Sequence, residues 1–196
     1  MGHIEDEVRR YYWHHSIDLG NGLVTPGAKT LETLSAEYGT TFDGVDIEGR
    51  SVLDVGAWNG AFSFEAKRRG AGDVLANDSF CWQQSPFNGR DTFEFARRRL
   101  GLDVRDADID VMAITPKLGH FDVTLFLGVL YHLVDPIEGL RRVASVTRDL
   151  LIVETHLDAA HVTRPAMIMY PGQELNNDSA NWWGPNRARA WSTCSG

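Results

Sequence analysis

Glycines and acidic residues placed around a short apolar run carry the first chemical signal in this sequence. Residues 52–55 read as a buried strand, and the turn Gly56-Ala-Trp-Asn-Gly60 and a helical pattern follow. A strand, a glycine turn and a helix bring backbone N–H groups and the positive helix end to one place, which suits a carboxylate or a phosphate. Asp78 ends the next apolar run, and a carboxylate about 20 residues after the first glycine is placed to bind the hydroxyls of a ribose. We therefore expect a ligand that contains a nucleoside.

The residue in the middle of this turn separates two such ligands. A dinucleotide needs the pattern G-x-G-x-x-G, because its pyrophosphate comes close to bare backbone. Trp58 stands at the position of the middle glycine, where a pyrophosphate would meet an indole. S-adenosylmethionine has no phosphate and needs less bare backbone, so it is the better fit.

The pattern Asp54-x-Gly56-x-x-x-Gly60 resembles motif I of the class I S-adenosylmethionine-dependent methyltransferases. Most members keep a glycine where Trp58 stands. The resemblance implies S-adenosylmethionine as the cofactor, with Asp54 orienting the turn or meeting the amino group and with Asp108 and Ile109 near the adenine. Trp82 either flanks the adenine or belongs to the core. The full set of expected cofactor contacts is Asp54, Gly56, Ala57, Trp58, Gly60, Asp78, Ser79, Asp108, Ile109 and Gly128.

Strand-like apolar runs alternate with helical patterns through residue 155. This alternation predicts an α/β fold, an open parallel sheet wound on both faces and of the Rossmann-like type. Strands are expected at 52–55, 73–78, within 102–111, at 121–128 and at 149–155, and helices are expected at 30–38, 61–66, 91–100 and from 136, with Asp91 and Asp135 as N-caps. The expected strand ends carry Gly56, Asp78, Asp108, Gly128 and Glu154, and ligands of such sheets lie at the carboxyl ends of the strands.

The string Gly128-Val-Leu-Tyr-His132 narrows the resemblance. Together with residues 13–18, 52–56, 170–172 and 181–185, it is similar to the branch that includes the tRNA wobble-uridine carboxymethyltransferases. Those enzymes use a carboxylated cofactor, and we find no basic partner for the extra carboxylate at the matching positions. We expect ordinary S-adenosylmethionine and a small-molecule acceptor. A tRNA wobble-uridine methyltransferase is the alternative, and a catalytically inactive cofactor-binding remnant is a second one.

Histidines and one tyrosine are the candidates for catalysis. A sulfonium methyl is already a strong electrophile, so catalysis rests mainly on positioning. An oxygen or nitrogen acceptor also needs a base, and His132, with Tyr131 beside it, is the first candidate. The alternative is that His132 shapes the pocket wall or hydrogen-bonds a backbone carbonyl. His14, His15 and Glu154 are expected to contact the acceptor.

Composition limits the partners further. The chain has 196 residues and a formal net charge of −8, which argues against strong non-specific binding to nucleic acid. Asp106, Asp108 and Asp110 alternate, but we interpret them as a solvated strand end and expect no metal. The sequence has no long apolar run, so no membrane span is expected. Cys81 and Cys194 are expected to be free thiols of a cytoplasmic protein.

Three parts are expected along the chain. Residues 1–50 are expected to form N-terminal helices and either a lid over the pocket or a cover for one edge of the core. Residues 51–155 are expected to form the cofactor-binding core. Residues 156–196 are expected to form a loop-rich segment that looks truncated. The last part shows no pair of period-two runs. The usual antiparallel strand pair of the fold is therefore expected to be missing from the sheet, leaving an uncovered edge and a tendency to associate through it.

Overall fold

A parallel sheet forms the centre of the protein. The computed structural model describes residues 2–172, 174–175 and 180–186. The strands of the sheet are β1 Ser51–Val55, β2 Asp73–Asp78, β3 Arg105–Asp108, β4 Phe121–Leu127 and β5 Thr147–Glu154. All of them run parallel, in the order β3-β2-β1-β4-β5. The order changes direction between β1 and β4, and the carboxyl ends of these two strands form the crevice in which such sheets bind ligands.

Helices cover both faces of the sheet. The helices are α1 Gly2–Val8, α2 Leu31–Phe42, α3 Ala61–Arg68, α4 Phe80–Gln83, α5 Gly89–Leu100 and α6 Pro136–Ala144. Short 3-10 turns lie at Val111–Ala113, Pro116–Leu118 and Leu130–His132. Val52 packs into one apolar cluster with residues of α2, α3 and α5, whereas its neighbour Leu53 packs into a second cluster with Val143 of α6. Neighbouring strand residues point to opposite faces, so the sheet is buried on both sides, and the predicted doubly wound fold is confirmed.

The two predicted N-caps differ in outcome. The Asp135 carboxylate accepts a 3.0 Å hydrogen bond from the Glu138 backbone N–H, as predicted for the start of α6. The prediction for Asp91 was wrong, because α5 begins two residues earlier, at Gly89. The Asp91 N–H donates to the Asn88 carbonyl at 3.1 Å, so Asp91 lies in the first turn of α5 and not before it. The start of the helix is tightly packed, since a Cβ on Gly89 would come 2.9 Å from both the Cys81 carbonyl oxygen and the Trp58 ring.

The N-terminal segment, residues 11–29, folds back on itself and packs against α3 and α5. The Ser16 N–H donates to the Lys29 carbonyl at 2.8 Å, and the Thr25 N–H donates to the Ile17 carbonyl at 3.0 Å. Trp13 is buried in the first apolar cluster, so this part of the segment completes the core. Tyr12 is 45% exposed and lies against Trp58 of the glycine turn. The segment thus covers the core and also reaches the turn, and the three-part division of the chain stays a prediction.

A short antiparallel pair, β6 Met167–Met169 and β7 Trp183–Pro185, forms a sheet of its own. The sequence did not predict this pair. Within the described ranges no strand joins the outer edge of β5, and Leu150 and Val153 of that strand are 37% and 38% exposed.

Several smaller expectations can be placed on the structure. Cys81 is a free, half-buried thiol, and burial raises its pKa. In the part of the chain that the structure describes, no helix is both long and apolar enough to cross a bilayer. Cys194 and residues 187–196, on which the expected truncation rests, lie outside the described residues.

Candidate active site at the carboxyl ends of the strands

The glycine turn after β1 is fastened to the end of β2. The N–H groups of Gly56 and Ala57 both donate to the Asn77 carbonyl, at 2.8 and 3.0 Å. Gly56 has a φ of +82°, and a Cβ there would come 2.2 Å from Cγ2 of Val129. Only glycine meets both demands, because other residues rarely adopt this backbone conformation and have no room for the side chain. The turn therefore lies directly against Val129, two residues after the end of β4.

Asp78 points inward at the end of β2. One carboxylate oxygen accepts from the Trp58 N–H at 2.9 Å, and the other accepts from the N–H groups of Ser79 and Cys81 at 2.7 and 3.0 Å. Burial raises the pKa of Asp78, while these backbone hydrogen bonds act in the opposite direction. A carboxylate accepts about four hydrogen bonds, so capacity remains for a ligand hydroxyl. The position suits the ribose contact, which stays a prediction.

Asp54 lies deeper than Asp78 and faces the first turn of α3. Its carboxylate accepts a 2.6 Å hydrogen bond from the Ser63 hydroxyl. Burial, with a smaller contribution from the nearby Asp78 charge, raises the pKa of Asp54 to about 6. Of its two expected roles, this contact favours orienting the glycine turn and the helix that follows it.

The expected adenine side lies between β2 and β3. Asp108 accepts from the Gln83 amide at 2.8 Å, and the Ile109 carbonyl accepts from the Asn77 amide at 3.1 Å. Trp82 is buried in the core, where its indole N–H donates to the Trp58 carbonyl at 2.8 Å. Trp82 therefore belongs to the core, and its contact with the adenine stays a prediction. No group of three or more potential metal ligands occurs among the residues that can be described.

Asn59 joins the N-terminal segment to the glycine turn. Its fully buried amide oxygen accepts from the backbone N–H groups of His14 and His15, at 2.9 and 3.2 Å. Its amide N–H donates to the Thr92 hydroxyl of α5. The sequence interpretation missed Asn59, because an asparagine inside a turn carries no signal of a contact 44 residues away.

The two histidines of this segment lie over Trp58. The His14 ring stacks on the Trp58 ring, with centroids 4.1 Å apart and planes 6° from parallel. Burial, and then the Lys29 charge, lowers the pKa of His14 to about 4. Burial and the neighbouring His14 lower the pKa of His15 well below its usual value. Both rings are therefore neutral at pH 7, and they present aromatic faces and single N–H donors rather than positive charges.

A second group of residues lies at the ends of β4 and β5. A Cβ placed on Gly128 would come 3.6 Å from both the Tyr131 hydroxyl and a Glu154 carboxylate oxygen, so these groups flank the same point. The Tyr131 ring lies between those of His132 and His156, with centroids 4.2 and 4.3 Å away. His132 Nδ1 lies 2.9 Å from the Ala180 carbonyl oxygen. A carbonyl only accepts, so Nδ1 carries a proton here, and Nε2 is the nitrogen that a neutral ring would use as an acceptor.

The structure thus brings the predicted residues together along one edge, in two groups. The glycine turn, Asp54, Asp78, His14 and His15 form the first group, and the residues around Gly128 form the second. Three buried polar atoms of the first group or its neighbours have no hydrogen-bond partner: Trp58 Nε1, His15 Nδ1 and Asn77 Oδ1. Buried polar groups of folded proteins are normally paired, so unsatisfied ones at a crevice indicate a place for a ligand.

Comparison with known proteins agrees with this geometry. A family model described as a methyltransferase domain matches residues 28–192. A tRNA U34 carboxymethyltransferase of Chromohalobacter salexigens is 34% identical over 122 residues, which cover 56% of this chain and 33% of that protein. A protein of the same name from Idiomarina loihiensis is 29% identical over 146 residues, covering 72% and 42%. The chain therefore spans less than half the length of these relatives.

Solved structures share the fold at low sequence identity. The N-terminal domain of EvdMO1, solved with S-adenosylhomocysteine bound, superposes with a TM-score of 0.68 at 17% identity, covering 98% of this chain and 86% of that one. The magnesium protoporphyrin IX methyltransferase of Synechocystis gives a TM-score of 0.53 at 18% identity, covering 66% and 57%. The family match covers most of the sequence, and the strand order and glycine turn agree with it. This chain therefore belongs to the methyltransferase-domain family and has the class I S-adenosylmethionine-dependent methyltransferase fold that its sequence predicted.

Proposed function

We propose that this chain is a cytoplasmic enzyme that transfers the methyl group of S-adenosylmethionine to a small-molecule acceptor. One observation carries the proposal: the indole N–H of Trp58, an imidazole nitrogen of His15 and the amide oxygen of Asn77 are buried without a partner, and all three residues belong to or contact the glycine turn that is tied to Asp78. S-adenosylmethionine offers both kinds of partner, since it has ribose hydroxyls, an amino group, a carboxylate and an adenine amine.

The residues of the glycine-turn side would hold the cofactor. Asp78 would bind the ribose, Gly56 and Gly60 would admit the methionine part, and Asp108 and Ile109 would line the adenine. The bound cofactor supplies an electrophilic methyl group on a sulfonium sulfur. The protein then has to hold the acceptor in line with this methyl, and positioning of this kind lowers a barrier by several kcal/mol, roughly 7–11 at most.

The residues at the ends of β4 and β5 would handle the acceptor. His132 would take the acceptor proton at Nε2, because the Ala180 carbonyl holds its other nitrogen. Tyr131 and Glu154 would orient the acceptor, since both flank the space beside Gly128. Glu154 brings a negative charge to this side, which favours a neutral or cationic acceptor over a phosphorylated one.

Charge supports a small molecule over tRNA. The net charge is −8, and several arginines that would attract phosphates already pair with acids. Arg90 and Arg97 both contact Asp106, and Arg142 contacts Glu138, all at 2.7 Å. The names of the curated relatives favour the tRNA wobble-uridine alternative, and an inactive remnant is the second alternative. Association through the edge of β5 stays a separate prediction, which light scattering of the purified chain tests.

The test combines binding with transfer. Isothermal titration calorimetry should detect S-adenosylhomocysteine but not NADH, and Asp78→Ala should weaken S-adenosylhomocysteine at least about a hundredfold. Radiolabelled S-adenosylmethionine is then incubated with the protein and either a small-molecule extract or unmodified tRNA. Label in the small-molecule fraction supports the proposal, and label in tRNA alone supports the wobble-uridine alternative. Cofactor binding without transfer to either pool points to the inactive remnant, whereas unchanged affinity of Asp78→Ala rejects the ribose assignment.

A further inference from the structure

Glu154, the last residue of β5, carries an exposed carboxylate that has no cationic partner. Among the described residues, no lysine, arginine or histidine forms an ion pair with it. The acids near the opposite ends of β4 and β5 differ, because Asp122 contacts Arg148 at 3.2 Å and Asp149 contacts Arg50. An exposed carboxylate by itself is merely hydrated, so the groups around Glu154 decide whether it belongs to a site.

An open point beside Gly128 brings the Glu154 carboxylate and a hydroxyl together. A Cβ placed on Gly128 would lie 3.6 Å from a Glu154 carboxylate oxygen and 3.6 Å from the Tyr131 hydroxyl. Apart from the chain neighbours of Gly128, no other atom of the described residues would come within 4 Å of it. This distance is slightly longer than a hydrogen bond, so a nitrogen near this point that carries two or more N–H groups can donate to both oxygens.

Aromatic and apolar side chains lie in the same two segments. The Tyr131 ring lies between the rings of His132 and His156, with centroids 4.2 and 4.3 Å away. Aromatic faces attract cations and also pack against apolar groups. Val134 and Leu157, which follow in the chain, are 65% and 57% exposed. A ligand that joins a cationic nitrogen to an apolar group matches these features.

We propose that the acceptor is an amine, which binds as an ammonium ion between Glu154 and Tyr131 and is then methylated on nitrogen. The inference rests on the proposed methyl transfer, because it names the acceptor class of that same site. A hydrogen bond between an ammonium and a carboxylate is roughly twice as strong as one between neutral groups, so Glu154 selects an amine over an alcohol. The same charge disfavours carboxylates and phosphates.

The transfer step balances in protons, electrons and charge. The ammonium first loses one proton, to His132 or to water, and a lone pair becomes available on nitrogen. This lone pair forms the new N–C bond to the methyl group, and the electron pair of the former S–C bond stays on sulfur. The products are a methylated ammonium ion and neutral S-adenosylhomocysteine. Positive charge therefore moves from sulfur to the nitrogen beside Glu154, whose carboxylate stabilises the charge as it develops.

Calorimetry with three probes of similar shape tests the acceptor class on protein saturated with S-adenosylhomocysteine. Benzylamine, an ammonium ion at pH 7, should bind at least about tenfold more tightly than benzyl alcohol, and benzoate should bind more weakly than the alcohol. Glu154→Gln keeps the size of the side chain and removes its charge, so benzylamine should fall to within about twofold of benzyl alcohol. Tyr131→Phe removes one acceptor and should weaken benzylamine about threefold.

Glu48→Gln is the matched control for the loss of one negative charge. Glu48 is exposed and precedes β1, so it lies at the opposite end of the parallel sheet from Glu154. This variant should keep the tenfold preference for benzylamine. If Glu48→Gln and Glu154→Gln weaken benzylamine equally, the net charge of the protein attracts the probe and the amine site is wrong. The affinity of each variant for S-adenosylhomocysteine shows that the crevice is intact.

A transfer experiment tests the same inference on natural acceptors. Primary and secondary amines of the small-molecule extract are blocked with N-hydroxysuccinimide acetate before incubation with radiolabelled S-adenosylmethionine. Loss of the label that the untreated extract takes up supports an amine acceptor, whereas label that survives the treatment overturns it. If S-adenosylhomocysteine binds but benzylamine shows no preference over benzyl alcohol, the amine site is wrong and the proposed function stands. If S-adenosylhomocysteine does not bind the wild type, the proposed function itself fails.

Discussion

The glycine-turn side of the crevice and the side formed by β4 and β5 hold their chemical groups in different ways. Asp54, Asp78, Asn59 and His15 are all buried, and backbone or side-chain contacts from several elements fix them. His132 and Glu154 are exposed, and they lie where β5 is an open edge. On the glycine-turn side, the protein interior determines the protonation and the geometry of the polar groups. On the side formed by β4 and β5, the polar groups are exposed, so ligands of different shapes can reach them.

This difference suits the two substrates of a methyl transfer. A cofactor that is common to many reactions calls for a fixed site, because preorganised polar groups need no rearrangement on binding. Acceptors differ between enzymes, so the residues that bind them must be able to change without much loss of stability. Exposed residues meet this requirement. The sides meet where Val129 packs on Gly56, so a change there should affect both.

The largest effect is expected at that contact. Gly56→Ala should lower the free energy of unfolding by about 4 kcal/mol, from ~1 kcal/mol of backbone strain and up to ~3 kcal/mol of overpacking. Urea denaturation followed by circular dichroism measures it. Adding Val129→Ala removes the clashing methyl group, so the double variant should recover most of the overpacking cost and keep the backbone cost. If the double variant is no more stable than Gly56→Ala, the contact with Val129 is not the cause of the stability loss.

The next effect concerns the bridge from the turn to the N-terminal segment. Asn59→Ala leaves the N–H groups of His14 and His15 without partners, and each buried unsatisfied group costs about 1–3 kcal/mol. We expect a loss of about 3 kcal/mol and faster amide exchange over residues 12–29, read by hydrogen–deuterium exchange. Thr92→Val is the matched control, because it removes the other partner of Asn59 and leaves both N–H bonds in place. Equal exchange of the segment in both variants would contradict the bridge.

The sequence predicted the first side better than the second, for a physical reason. The strand–turn–helix unit and Asp78 follow from local patterns, since glycines, periodicity and the acid at a strand end are visible within about 30 residues. Asn59, Asn77 and the orphan nitrogen of His15 depend on contacts between distant segments, so no local pattern marks them. Likewise, the N-cap pattern at Asp91 did not mark the start of the helix, which begins at Gly89, where the chain packs closely against the distant Trp58. The pair β6–β7 was missed because each strand has three residues, too few to show a period of two.

A pH experiment on Asp54 tests whether the interior sets the protonation of the first side. Its pKa rises from 3.8 to about 6 on folding, so the folded state holds the proton more tightly. The contribution of this group to stability is therefore greatest at acidic pH and is lost as the pH rises from about 4 to about 6. Asp54→Asn should remove this dependence and raise the free energy of unfolding at pH 7.5 by on the order of 2 kcal/mol.

The histidines of the N-terminal segment provide the internal control for that experiment. The pKa of His14 falls from 6.5 to about 4 on folding, so its contribution has the opposite sign and is lost as the pH falls through this window. In the wild type, the contributions of Asp54 and His14 to the free energy of unfolding change with pH in opposite directions. Urea melts between pH 4 and 8 should therefore show the histidine contribution more clearly in Asp54→Asn. Identical pH profiles for wild type and variant would rule out a perturbed Asp54.

The smallest effect on stability is expected on the second side, at His132. The residue is exposed on the surface of the crevice, so His132→Ala should change the free energy of unfolding by about 0.5 kcal/mol or less. Its affinity for S-adenosylhomocysteine should match that of the wild type in calorimetry, while methyl transfer falls by about a hundredfold if the ring is a general base. His132→Asn distinguishes the alternative role, because an amide can keep the bond to Ala180 but cannot take up the proton. If His132→Asn recovers methyl transfer, His132 only shapes the pocket wall. If both variants lose transfer equally, His132 acts as the general base on the exposed side of the crevice.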